Sequence, residues 1–132
     1  MSSKKVPIYS PRAPTPIAPY TQGVRAGDYV FITGQISTDV KTGEPVVGSL
    51  HVRYETTFNN VLAVTEAAGG TAHDIVKLGI FVTDIQQIQA LNEVIKKIFR
   101  EPYPARNVVP VNKIPRGGNI EIDAIVYLPQ NK

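Results

Sequence analysis

Asp74-Ile75-Val76-Lys77-Leu78-Gly79-Ile80-Phe81-Val82, residues 74–82, is the stretch on which the fold turns. Its side chains are mostly apolar and often β-branched at odd and even positions alike, which is how a strand buried on both faces reads. On its N-terminal side Tyr54, Phe58, Val61, Leu62 and Thr65 recur at helical spacing. That helix begins near Ser49 and stops at Gly69-Gly70. On the other side Asp84 is placed to cap a second helix, its carboxylate accepting from first-turn amides while Gln87 reaches back. Ile88, Leu91, Ile95, Ile98 and Phe99 supply the apolar stripe of that helix, and Glu101-Pro102 ends it. A strand thus stands between two helices.

Further out, residues 29–32 read as a strand that Thr33-Gly34-Gln35 ends, the glycine permitting close approach. Residues 39–45, with Lys41-Thr42-Gly43, have turn chemistry. The last third reads as two strands, 105–111 and 120–127, parted by Ile114-Pro115-Arg116-Gly117-Gly118. Residues 7–19 hold five of the eleven prolines and form an extended arm across the surface. There is no internal repeat. The order strands, helix, strand, helix, strands predicts an α+β architecture, a mixed sheet with helices on one face. Its uncovered apolar face suits self-association, so a homo-oligomer is expected.

A chain of 132 residues, 42% hydrophobic, can bury one core and not comfortably two, so residues 1–132 are expected to be a single domain. No window approaches the roughly 18 consecutive apolar residues of a membrane span, and the start MSSKKVPIYS lacks the apolar core of a signal peptide. A cytoplasmic protein is expected. Without cysteine there is no disulfide framework, no thiolate nucleophile and no cysteine-ligated metal. The net charge of +3 comes from scattered bases interleaved with eleven acids, the pattern of an ordinary solvated surface rather than a nucleic-acid footprint.

The G-x-S-x-G elbow, the Walker loop, G-x-G-x-x-G and H-E-x-x-H are all missing. His51 and His73 stand apart from each other and from acids at ligand spacing, so no metal site is expected. Arg106 is a charged residue where a strand should enter the core. Its planar fork matches a carboxylate through two parallel hydrogen bonds, which suits recognition of a small acid. An internal salt bridge to Glu121 or Asp123 is the more ordinary expectation from spacing. Those two acids lie roughly 7 Å apart on one face of the last strand, opposite Ile120, Ile122 and Ala124. They are either a solvated edge or a place where one carboxyl handles protons or water. Tyr20 can offer a phenol at a subunit border or simply pack, and Asn92 interrupts the apolar face of the second helix.

Taken together, these residues resemble the reactive intermediate deaminase family, also called RidA or YjgF, along nearly the whole chain. The segments that carry the resemblance are Pro19-Tyr20-Thr21-Gln22, Phe31-Ile32-Thr33-Gly34-Gln35, Asp74-Ile75-Val76-Lys77 with Phe81-Val82-Thr83-Asp84, and Tyr103-Pro104-Ala105-Arg106 followed by Ile114-Pro115 and Ile120-Glu121-Ile122-Asp123-Ala124. The last cluster is the most specific. Val108 and Ala18 depart from the cysteine and glycine that many members carry, and Arg116-Gly117-Gly118 replaces a charged turn.

The resemblance implies a chorismate-mutase-like fold, a mixed six-stranded sheet with two helices on one face, assembled as a homotrimer with pockets at the subunit seams. It implies that Arg106 binds a substrate carboxylate, that Glu121 positions or activates water, and that Tyr20, Thr33, Gly34 and Asn92 line the pocket. It further implies hydrolysis of 2-imino and 2-enamino acids, such as 2-aminoacrylate and 2-aminocrotonate, to 2-keto acids and ammonia, without a cofactor. Similar proteins are also described as ribonucleases or translation inhibitors, and a noncatalytic small-acid-binding trimer would use the same arginine. One geometric condition follows. If the last two strands formed a simple hairpin, Arg106 would lie some 20 Å along the strand from Glu121. The family fold requires those strands to be separated in the sheet.

Overall fold

Residues 74–82 do form the strand on which the architecture turns. In the computed structural model, which describes residues 4–130, it is β4 (Ile75–Val82), flanked by α1 (Leu50–Ala67) and α2 (Ile88–Ile98). The first three residues of the opening segment and the last two of the expected domain lie outside the described residues. The other strands are β1 (Val6–Ile8), β2 (Gly23–Ala26), β3 (Tyr29–Gln35), β5 (Ala105–Pro110) and β6 (Ile120–Tyr127). They build one mixed sheet in the order β1-β2-β3-β6-β4-β5. β4 and β5 are parallel, joined by α2 as a crossover, and β6 runs antiparallel between β3 and β4. This is the α+β sheet with two helices that the sequence predicts, and β4 does separate β5 from β6.

The core lies between sheet and helices. Val30 and Ile32 of β3, Ile120, Ile122, Ala124 and Val126 of β6, and Leu78, Ile80 and Val82 of β4 pack beneath Phe58, Val61 and Val64 of α1. Fully burying one such Val, Leu, Ile or Phe side chain contributes about 1.5–3 kcal/mol. Phe58 and Phe99 meet edge to face at 5.8 Å and link the two helices. Ser49 caps α1 by accepting from the Val52 amide at 3.2 Å, and Gly69, at φ 97°, allows the chain to leave it.

Several expectations are corrected. β4 is buried on one face only: Lys77, Gly79 and Phe81 are half-buried on the other and Val76 is exposed, because no layer of the chain covers that side. β3 does not end at Ile32 but continues to Gln35 through a bulge, which Gly34 accommodates. The proline-rich arm begins with a strand, β1, which pairs at the sheet edge, where a missing proline donor costs little. β2 went unpredicted because four residues are too few to show a period. Asp84 caps a short 3-10 turn ahead of α2 by accepting from the Gln86 amide at 3.0 Å. Gln87 makes no capping bond, and Ile88 is exposed. No helix among the described residues is long and apolar enough to cross a membrane.

Candidate active site

Arg106 stands near the start of β5, the edge strand, paired with Leu78 of β4, which in turn pairs with Ala124 of β6. Directly paired residues point to the same side of a sheet. The Arg106 side chain therefore belongs to the helix side, at the open end of the layer where α2 passes over β5. There it lines a cavity of about 270 Å³ with Leu78, Asn92, Ile95, Lys96 and Tyr103. It has no hydrogen bond or ion pair among the described residues. An exposed guanidinium beside apolar walls, with its five donors uncommitted, is prepared for an incoming anion.

The salt bridge to Glu121 or Asp123 does not form, and the reason is register. Glu121 pairs with Phe81 and Asp123 with Gly79, which puts both acids on the uncovered face of the sheet, opposite Arg106. Nor are they a solvated edge, since β6 is interior to the sheet and both residues are half-buried. The Glu121 carboxylate lies over Gly34, where any Cβ would collide with it. Asp123 lies over Gly79 in the same way. Each glycine is the absence of a side chain that makes room for an acid. Burial, and then the like charge of Asp123, push the Glu121 carboxyl above the usual carboxylate range. Burial also raises Asp123, against a hydrogen bond from the Gly79 amide and the charge of Lys77.

Beside Glu121, Tyr20 and Gly34 line a second cavity of about 240 Å³ with Ile17 and Arg116. Thr33 does not line that cavity itself; it precedes Gly34 in β3. Its hydroxyl donates to the Thr21 carbonyl at 2.6 Å and its amide to the Gln22 carbonyl at 3.0 Å, which ties β3 to the segment carrying Tyr20. The sequence-predicted residues thus divide into two half-sites on opposite faces: Arg106 with Asn92, and Glu121 with Gly34, Thr33 and Tyr20.

Sequence reasoning missed the residues that hold this second half-site. Gln22 is buried, accepts from the Ser10 amide at 2.6 Å and donates to the carbonyls of Ser10, Ala13 and Pro14, so it fixes the proline-rich arm. Asn60 donates to the Ile36 and Thr38 carbonyls at 3.0 Å each. Gln22 entered the sequence reading only as the end of Pro19-Tyr20-Thr21-Gln22, without a role, and Asn60 belongs to no local motif. Lys96 was also missed, although its place one helical turn after Asn92 was visible in the spacing. Among the described residues no cluster of three or more His, Cys, Asp or Glu side chains could hold a metal ion.

Known proteins share this fold. The family model described as endoribonuclease L-PSP matches residues 10–128. A relative from Dermatophagoides farinae, named 2-iminobutanoate/2-iminopropanoate deaminase, is 40% identical over 128 residues, which is 97% of this chain and 99% of that protein. The crystal structure of RidA from an Antarctic Psychrobacter superposes with a TM-score of 0.88 at 40% identity, covering 92% of this chain and 98% of the other. That of Escherichia coli TdcF with bound serine superposes at 0.87 with 38% identity, covering 92% and 98%. With its sheet, its register and the match along nearly its whole length in agreement, the chain belongs to the endoribonuclease L-PSP family, the RidA-type family that its sequence resembles.

Proposed function

We propose that the protein hydrolyses short 2-imino acids, and the enamines from which they arise, to 2-keto acids and ammonia. The observation that carries this reading is the unpartnered Arg106 fork in a small, largely apolar cavity. The relative named for 2-iminobutanoate and 2-iminopropanoate, 40% identical over 97% of this chain, supports it.

Arg106 fixes the substrate carboxylate through two parallel hydrogen bonds and so orients the C=N carbon. An enamine first takes a proton on its terminal carbon and becomes the imine. Glu121 accepts a proton from water as the new C–O bond forms, and that proton passes to the nitrogen. Glu121 then carries the proton of the new hydroxyl to the amino nitrogen, the C–N bond breaks as C=O forms, ammonia leaves and the keto acid remains.

Within one chain Arg106 and Glu121 sit on opposite sides of the sheet, so a single small ligand reaches both only when Glu121 comes from another copy. A homotrimer with a pocket at each seam meets that need. Phe31, Tyr29, Val109 and Tyr127, all exposed on the uncovered face, give the copies an apolar surface to share. We place its work in the cytoplasm. The ribonuclease reading finds no catalytic histidine pair: His51 bonds Glu93 at 2.8 Å, and neither histidine lines either half-site.

The test couples a threonine dehydratase to the purified protein and follows keto acid release, with RNA cleavage assayed in parallel. Arg106→Ala is expected to slow release about a hundredfold, the loss of roughly 3 kcal/mol from a charged bidentate contact. Lysine should rescue poorly because it lacks the fork. Equal rates for wild type and Arg106→Ala would remove the enzyme reading.

A further inference from the structure

The Arg106 cavity holds a second cation that hydrolysis of a short imino acid leaves unused. Lys96 lines it together with Asn92, four residues earlier and so on the same face of α2. Like Arg106, Lys96 has no hydrogen bond or ion pair among the described residues. Its neighbour Lys97 is rotated about 100° around the helix and donates to Glu55 of α1 at 2.7 Å. One lysine of the pair thus braces the helices while the other faces the cavity. None of the residues lining that cavity is an acid. A substrate with a single carboxylate satisfies the Arg106 fork and leaves the Lys96 ammonium uncompensated. A substrate with a carboxylate at each end satisfies both, with Asn92 between them to hydrogen-bond the imine or the second acid.

We propose that Lys96 is a specificity-determining residue that gives the Arg106 cavity a preference for 2-imino acids bearing a second carboxylate, the imines formed by oxidation of acidic amino acids. The inference rests on the imine-hydrolase reading and deepens it.

The test generates imines in place with amino-acid oxidases, from aspartate and glutamate on one side and 2-aminobutyrate on the other. It compares kcat/KM for the dicarboxylic and the monocarboxylic imine in wild type, Lys96→Gln, Lys96→Glu and Lys97→Gln. In Lys96→Gln the ratio of dicarboxylic to monocarboxylic kcat/KM is expected to fall about tenfold, the size of one charge-assisted contact. Lys96→Glu should lower it further, and Lys97→Gln should leave the ratio at the wild-type value. An unchanged ratio in Lys96→Gln, with both substrates slowed together or neither slowed, would overturn the inference. So would a wild type that hydrolyses the 2-aminobutyrate imine and ignores the dicarboxylic ones, a result that leaves the imine-hydrolase reading standing. A wild type that accelerates none of the imines would instead defeat that reading, and the inference with it.

Discussion

In the proposed reaction Glu121 must be ionised to accept a proton from water, so its titration is expected to govern the acid side of the rate profile. Burial and the Asp123 charge hold the carboxyl above the usual carboxylate range. Below its own pKa Glu121 is protonated and cannot take a proton from water, so kcat/KM should fall as pH drops through that raised value. Asp123→Asn removes the like charge while keeping the side-chain shape. The acid limb is then expected to move to lower pH, whereas Lys77, on the same face, acts on Asp123 in the opposite sense. A pH-rate series on the two proteins checks this, and a limb that stays or rises would deny the coupling. Gly34 makes a sharper case. An added methyl would meet the Glu121 carboxylate, a flexible group that can swing aside, so Gly34→Ala should fold normally and lose at least about a hundredfold in kcat, within the usual range for a displaced acid-base group. Thermal melting together with turnover separates the two effects. A fully active Gly34→Ala would place the water-handling group elsewhere.

At the level of elements, β5 and β6 decide the site through what stands between them. β4 separates them and its register sets their facing: Arg106 pairs with Leu78 and Glu121 with Phe81, which point to opposite faces of the sheet. Most of the framework was legible in the sequence. The bounds of α1, β4 and β6 follow from Ser49, Gly69-Gly70 and the alternation Ile120, Ile122, Ala124, because periodicity and caps are local signals. The residues of the candidate site were proposed from the Tyr103-Pro104-Ala105-Arg106 and Ile120-Glu121-Ile122-Asp123 resemblance. Their facing was not, because register between distant strands leaves no mark in a local pattern, and spacing alone favoured an internal salt bridge. β1 and β2 escaped for a related reason: short edge strands are defined by their pairing more than by their composition. Gln22 and Asn60 act through contacts that close over long stretches of chain.

For the whole molecule the uncovered sheet face is the governing feature. Phe31 and Tyr127, each more than 40% exposed, stand on the same uncovered face as the half-buried Glu121 and Asp123. Phe31→Asp should therefore dissociate the proposed homotrimer, which light scattering during size-exclusion would report as a shift to the monomer mass. Keto acid release should be lost with it, because each site would keep only one half. A variant that stays assembled would show the copies meeting elsewhere. The central claim, that one site is built from the Arg106 of one copy and the Glu121 of another, is tested most directly by mixing. Arg106→Ala and Glu121→Gln, each nearly inactive alone, are co-expressed so that mixed assemblies form. Random assortment of cyclic neighbours restores about a quarter of the sites to both native residues, so activity near a quarter of wild type is expected. A mixture no more active than either variant alone would contradict the account.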